Sequence, residues 1–163
     1  MNYSEVIHKK IVTLPTLKQM LAVWRFKSKN IVFTNGCFDL IHAGHIQLLN
    51  DAGSFGDVLI VGLNTDSSVS RIKPHRPVQD EQSRALIMAS FEMVDAVILF
   101  DEDTPYELIK TVRPDVLVKG GDYKPDEVVG KDIMEQNNGR VELVKFVAGF
   151  STSNIIARIQ MGK

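Results

Sequence analysis

The chain has a single cysteine, Cys37, among 163 residues, so no internal disulfide can staple it and its stability must come from an apolar core. It has no apolar run near the roughly 20 residues that cross a bilayer; stretches such as Val58 to Leu63 are the longest candidates. Neither sign of charge dominates, with 19 Lys and Arg against 20 Asp and Glu, which argues against a nucleic-acid-coating surface or a membrane-bound chain. Any anionic ligand must then be held by a local site. No basic-then-apolar leader with a small-residue cleavage site opens the sequence, and a reducing cytoplasm is the expected compartment. Repeats, low-complexity tracts and Ser/Gly linkers are lacking too, as are the dinucleotide fingerprint GxGxxG and the P-loop pattern GxxxxGK[ST].

What is present is an ordinary globular composition, 44% hydrophobic, of a length that fits one domain spanning residues 1–163, with 1–29 as an N-terminal helical extension packed on it. Five short β-branched and apolar segments read as strands: Ile31 to Thr34, Val58 to Leu63, Ala96 to Phe100, Val116 to Lys119 and Val141 to Phe146. Most lack polar alternation, as expected of strands buried on both faces in a parallel sheet. Between them lie helical patterns at Thr16 to Lys27, His45 to Phe55, Glu81 to Met93, Pro105 to Val112, Asp126 to Asn137 and Ser153 to Gln160. The alternation predicts an α/β, Rossmann-like, three-layer doubly wound sheet of about five parallel strands. Ligands of such sheets bind at the carboxyl ends of the strands, which draws attention to residues 35–45, 64–79, 120–125 and 147–153.

The first of these loops carries the chemistry. Thr34-Asn35-Gly36-Cys37-Phe38-Asp39-Leu40-Ile41-His42-Ala43-Gly44-His45 follows a strand and opens an amphipathic helix, which is a phosphate-binding context. His42 and His45, three residues apart on an opening turn, project to one side, and Gly44 between them lets a nucleotide lie against the backbone. Imidazoles placed there can donate to the oxygens of an α-phosphate as charge builds during in-line attack. Nucleotidyl transfer needs positioning and charge stabilisation and no protein nucleophile, so Cys37 reads as a small residue packed beside the site. A zinc site is not expected, because no second Cys or His cluster completes one.

At these residues the chain resembles the HIGH-type nucleotidyltransferase superfamily, and FTNGCFDLIHAGH looks like its cytidylyltransferase-like branch. VKGGDYKPDEVVG (118–130) and GFSTSNII (149–156) are similar to the adenylyltransferase domain of bacterial ADP-heptose synthesis. The resemblance implies transfer of AMP from ATP to D-glycero-β-D-manno-heptose 1-phosphate, giving ADP-heptose and pyrophosphate for lipopolysaccharide core assembly. It implies Mg²⁺ held mainly by the nucleotide phosphates rather than by a protein metal site, and a homo-oligomer, dimer or larger, with neither nucleic acid nor membrane as partner.

Carried over onto this sequence, His42 and His45 would stabilise the pentavalent phosphorus, while Thr34, Asn35, Gly36, Cys37, Phe38 and Gly44 would line the phosphate and ribose site. Gly120, Gly121 and Asp122 would contact the nucleoside, and Ser151, Thr152 and Ser153 would hold the outer phosphates. Asp39, Lys73 and Arg84 would lie near the reacting phosphates. Arg71, Lys73 and Arg76 read equally as an exposed basic loop or as a lid over the triphosphate, whereas His8 and His75 read as surface residues. Cytidylyltransferase relatives carry a basic residue where this chain has Gly53, and Lys73 is one replacement. A cytidylyltransferase for glycerol 3-phosphate or another small alcohol phosphate, and a catalytically silent nucleotide-binding protein, remain as alternatives.

Overall fold

A computed structural model of the chain describes residues 2–121, 124–145 and 151–162. Six strands, β1 (Ile11–Val12), β2 (Ile31–Gly36), β3 (Val58–Asn64), β4 (Ala96–Phe100), β5 (Val116–Gly120) and β6 (Arg140–Val144), form one sheet in the order β1-β4-β3-β2-β5-β6, with every pair parallel. Among the described residues eight α-helices accompany them: α1 (Tyr3–Lys10), α2 (Leu14–Phe26), α3 (Ala43–Gly53), α4 (Asp66–Ile72), α5 (Glu81–Ala89), α6 (Tyr106–Val112), α7 (Lys131–Gln136) and α8 (Thr152–Gln160).

Alternate residues of each central strand enter two separate apolar clusters. Phe33, Ile60 and Leu117 pack on one side against Leu17 and Leu21 of α2, Ile109 of α6 and Met134 of α7. Val32, Val61 and Val118 pack on the other against Leu49 of α3 and Met88 of α5. This two-sided burial is why β2 to β5 read as uninterrupted apolar runs. Aspartates set the lower edge of the sheet. Asp57, Asp95 and Asp115 each stand one residue before a strand and accept from the backbone N–H of Asn30, Leu59 and Ile31, at 2.8, 2.8 and 2.7 Å.

The structure departs from the sequence expectation in four places. Residues 1–29 supply, besides two helices, the edge strand β1, which pairs Ile11 with Val97 and Val12 with Ile98. The stretch 64–79 contains α4, started by the Thr65 hydroxyl, which accepts from Ser68 N at 3.2 Å. The helix expected over Asp126 to Asn137 splits into a 3-10 turn (Pro125–Glu127) and α7, because Gly130 takes a φ of 91° and a Cβ there would lie 2.8 Å from Ile109 Cδ1. The helix expected to run to Met93 ends at Ala89.

Chain direction places the site. From β2 the chain moves outward through β3 to β4, then returns to lay β5 on the other side of β2. The order therefore reverses between β2 and β5, and a crevice opens above their carboxyl ends.

Candidate active site

A cleft of about 300 Å³ occupies this reversal point. Its floor is the loop leaving β2. Phe38 there adopts a φ of 44°, and its ring lies so close over Gly36 that a Cβ at that position would sit 3.1 Å from Phe38 Cε2. The same ring packs at a tilt against His45, with centroids 5.3 Å apart. A side chain at 36 would press on the ring that seats the histidine.

His42 is the N-cap residue of α3, and its carbonyl accepts from His45 N at 2.9 Å. No side chain caps this end of the helix. The imidazoles of His42 and His45 stack with centroids 3.8 Å apart and planes 22° from parallel. Both Nδ1 atoms are buried with no hydrogen-bond partner among the described residues. Burial lowers the His42 pKa; burial, the neighbouring His42 and Lys73 push that of His45 down to about 4. Near neutral pH both rings are therefore uncharged donors. His45 lines the cleft, while His42 faces a second cavity of about 470 Å³ between the start of α3 and α8 that also touches Ser151 and Asn154.

The basic segment after α4 folds over the cleft. Its anchor is Asp39, only 2% exposed, whose carboxylate accepts from Val78 N and Gln79 N, each at 2.9 Å, and pairs with Arg76 Nη1 at 3.4 Å. Arg76 also donates to Ser153 Oγ at 3.4 Å, which ties this segment to the start of α8. Lys73 and Arg76 line the cleft; Arg71 instead turns to Asp101 and Asp103. Of the serine/threonine run, Ser151 caps α8 by accepting from Asn154 N at 3.0 Å, and Thr152 lines the cleft.

Asn35, Gly36, Cys37, Phe38, Asp39, His45, Lys73, Gly120 and Thr152 are brought together around one space. A Cβ at Gly120 would lie 3.2 Å from Leu48 Cδ2, and Gly121 takes a φ of 130°. Gly44 sits in the first turn of α3 between the histidines. Asp122, expected at the nucleoside, lies outside the described residues.

Of the expected residues, His42, Gly44, Gly121, Ser151, Ser153, Thr34 and Arg84 do not line the cleft, and His42 and Ser151 face the second cavity instead. Thr34 is fully buried in β2, beneath the floor. Arg84, expected at the ligand phosphates, is fully buried, and its guanidinium donates to Gln79 O, Cys37 O and Asp66 Oδ1 at 3.0, 2.7 and 2.7 Å. It clamps the floor loop to α4 and α5, because α5 packs directly against the sheet and leaves its inward face no route to the cleft. At Gly53, where the cation is missing, a Cβ would lie 3.2 Å from Met93 Cβ.

Leu48, Asn64, Ile72, Asp103 and Lys119 also line the cleft without having been expected there, and Lys119 is the only cation among them. Lys119, the penultimate residue of β5, lines the cleft and donates to Asn35 Oδ1; burial lowers its pKa to about 8. The signal was a lysine closing the apolar run VLV just before Gly-Gly, at the carboxyl end of a strand. Among the described residues no three His, Cys, Asp or Glu side chains converge to hold a metal ion, and no helix is long and apolar enough to cross a membrane.

Residues 33–158 match the model of the cytidylyltransferase-like family. The chain is 55% identical over 151 residues, 92% of its length, to the bifunctional protein HldE of Syntrophotalea carbinolica, and 48% identical over 153 residues to that of Wolinella succinogenes. It spans about a third, 31%, of the length of these relatives. Among solved structures, the lipopolysaccharide core biosynthesis protein of Thermoplasma volcanium superposes with a TM-score of 0.60 at 30% identity, covering 73% of this chain and 97% of that one. Pantoate-beta-alanine ligase of Francisella tularensis shares the fold, with a TM-score of 0.64 at 19% identity over 93% of this chain and 76% of that one. The chain belongs to the cytidylyltransferase-like family and is a nucleotidyltransferase.

Proposed function

We propose that this nucleotidyltransferase moves the adenylyl group of ATP onto D-glycero-β-D-manno-heptose 1-phosphate, releasing pyrophosphate and forming ADP-heptose. The observation that carries the transfer chemistry is the stacked, uncharged pair of His42 and His45 at the uncapped start of α3. The choice of substrates is supported by VKGGDYKPDEVVG and GFSTSNII, which are similar to ADP-heptose adenylyltransferase domains, and by relatives named for HldE and for lipopolysaccharide core biosynthesis.

In this reading an oxygen of the acceptor phosphate attacks the α-phosphorus of ATP in line. The bond from that phosphorus to the oxygen bridging it to the β-phosphate breaks, and pyrophosphate leaves with the electron pair. The histidines and the first-turn amides of α3 donate to the non-bridging oxygens as charge builds there. Ser151, Thr152 and Ser153, with Arg76, hold the outer phosphates. Mg²⁺ would be carried in on the phosphate oxygens, in keeping with a cleft whose carboxylates Asp39 and Asp103 come from different loops. Pyrophosphate release from ATP, assayed with and without heptose 1-phosphate, tests the proposal.

A cytidylyltransferase is the second reading, favoured by the description of the matching family. Exchanging ATP for CTP in the same assay separates the two.

A further inference from the structure

The cations around the cleft differ in how their charge is met. Arg76 is paired with Asp39, Arg71 with Asp101 and Asp103, and Arg84 with Asp66. Lys73 and Lys119 make no ion pair among the described residues; Lys73 is exposed, and only Lys119 stands on the sheet itself. Its ammonium is half-buried at the end of β5 and has the neutral amide of Asn35 as its partner. The β2–β5 register, which sets Val118 beside Thr34, brings Lys119 and Asn35 side by side at the point where the strand order reverses. A partly desolvated ammonium without a countercharge is unfavourable unless an anion joins it. The cleft it lines is the one His45 lines from α3.

We propose that Lys119 is a catalytic cation of the transfer step, its ammonium aimed by Asn35 at a non-bridging oxygen of a phosphate group at the reacting centre. The inference rests on the nucleotidyl-transfer reading. Lys119 and His45 then grip the phosphate from two different elements, and Lys119 supplies a positive charge that the chain lacks at Gly53. No proton moves to or from Lys119 in the step: the acceptor oxygen bonds to the α-phosphorus, pyrophosphate departs with the pair of the broken bond, and the ammonium stays protonated. The phosphate touched belongs either to the α-position of ATP or to the acceptor monoester.

Burial lowers the Lys119 pKa to about 8, so kcat/KM should fall as the pH rises through that value. The other titratable or charged groups facing the cleft are His45 from α3, Lys73 and Arg76 from the segment after α4, Asp39 after β2 and Asp103 after β4. Lys119→Arg, whose guanidinium keeps its charge, should remove this alkaline limb; Lys73→Arg should leave it in place.

The test uses the full chain in two arms. In the turnover arm, Lys119→Met should lower kcat/KM by about 10²-fold, with a melting temperature no lower than that of the wild type, and Lys119→Arg should retain more activity than Lys119→Met. In the contact arm, the Lys119 ε-carbon resonance of ¹³C-lysine-labelled protein, assigned by its loss in Lys119→Met, should move on adding AMP or inorganic phosphate. AMP moving it assigns the α-phosphate, and inorganic phosphate the acceptor. Turnover of Lys119→Met within about threefold of wild type, or a resonance that neither probe moves, overturns the proposal. If the wild type releases no pyrophosphate with any acceptor tested, the proposed substrates fail, and the resonance alone then decides the phosphate contact.

Discussion

His42 and His45 stack at 3.8 Å between ring centroids, close enough that a charge on one ring opposes a charge on the other. Together with burial this keeps both neutral at physiological pH. Neutral donors add little to ground-state attraction for a triphosphate, yet they strengthen as negative charge gathers on the pentavalent phosphorus. His42→Ala and His45→Ala should each lower kcat by about 10²-fold or more, with the Kd for ATP changing less than about fivefold. Steady-state kinetics and calorimetry read the two quantities, and equal losses in both would assign the pair to ground-state binding.

The depressed pKa of His45 also shapes stability. Between its ordinary value of 6.5 and its folded value of about 4, the unfolded chain binds a proton that the folded chain refuses. Stability from this site is complete above about 6.5 and is lost as the pH falls toward 4. With partial exposure discounted, the loss by pH 5 is on the order of 1 kcal/mol. Urea denaturation at pH 7 and pH 5 should show a larger drop for wild type than for His45→Gln, and equal drops would contradict the assignment.

Asp39 holds the segment over the cleft through two backbone N–H groups and Arg76. Asp39→Ala leaves those donors without an acceptor and should destabilise the fold by about 2–4 kcal/mol. Asp39→Asn keeps one acceptor oxygen and should lose less. Chemical denaturation of both variants orders them, and the reverse order would refute the anchoring role.

Arg84 uses its planar fork on Gln79 O, Cys37 O and Asp66. A lysine cannot span all three, so Arg84→Lys should cost about 2–4 kcal/mol of stability with a KM for ATP near that of wild type. A KM raised more than about tenfold without loss of stability would instead put Arg84 on the nucleotide.

The contrast between Arg84 and Lys119 shows where sequence reading stops. Strands β2 to β5 were legible because both of their faces are buried, and the histidine loop was legible because strand, glycine turn and helix start follow one another in sequence. β1 has two residues, too few for a period, and α4 offers only Val69 and Ile72 as apolar guides. Whether a cation lies in a cleft or beneath it depends on how far a helix is pressed onto the sheet. Arg84 sits on the inward face of α5 and is buried, whereas Lys119 stands one step past the apolar part of its strand and reaches the opening.

The most direct measurement is Mg²⁺-dependent pyrophosphate release by the purified chain. With ATP and D-glycero-β-D-manno-heptose 1-phosphate, release should be rapid, should stop when the acceptor is withheld, and should be far slower with CTP. No release from ATP in the presence of that acceptor, or equal release without it, would contradict the account.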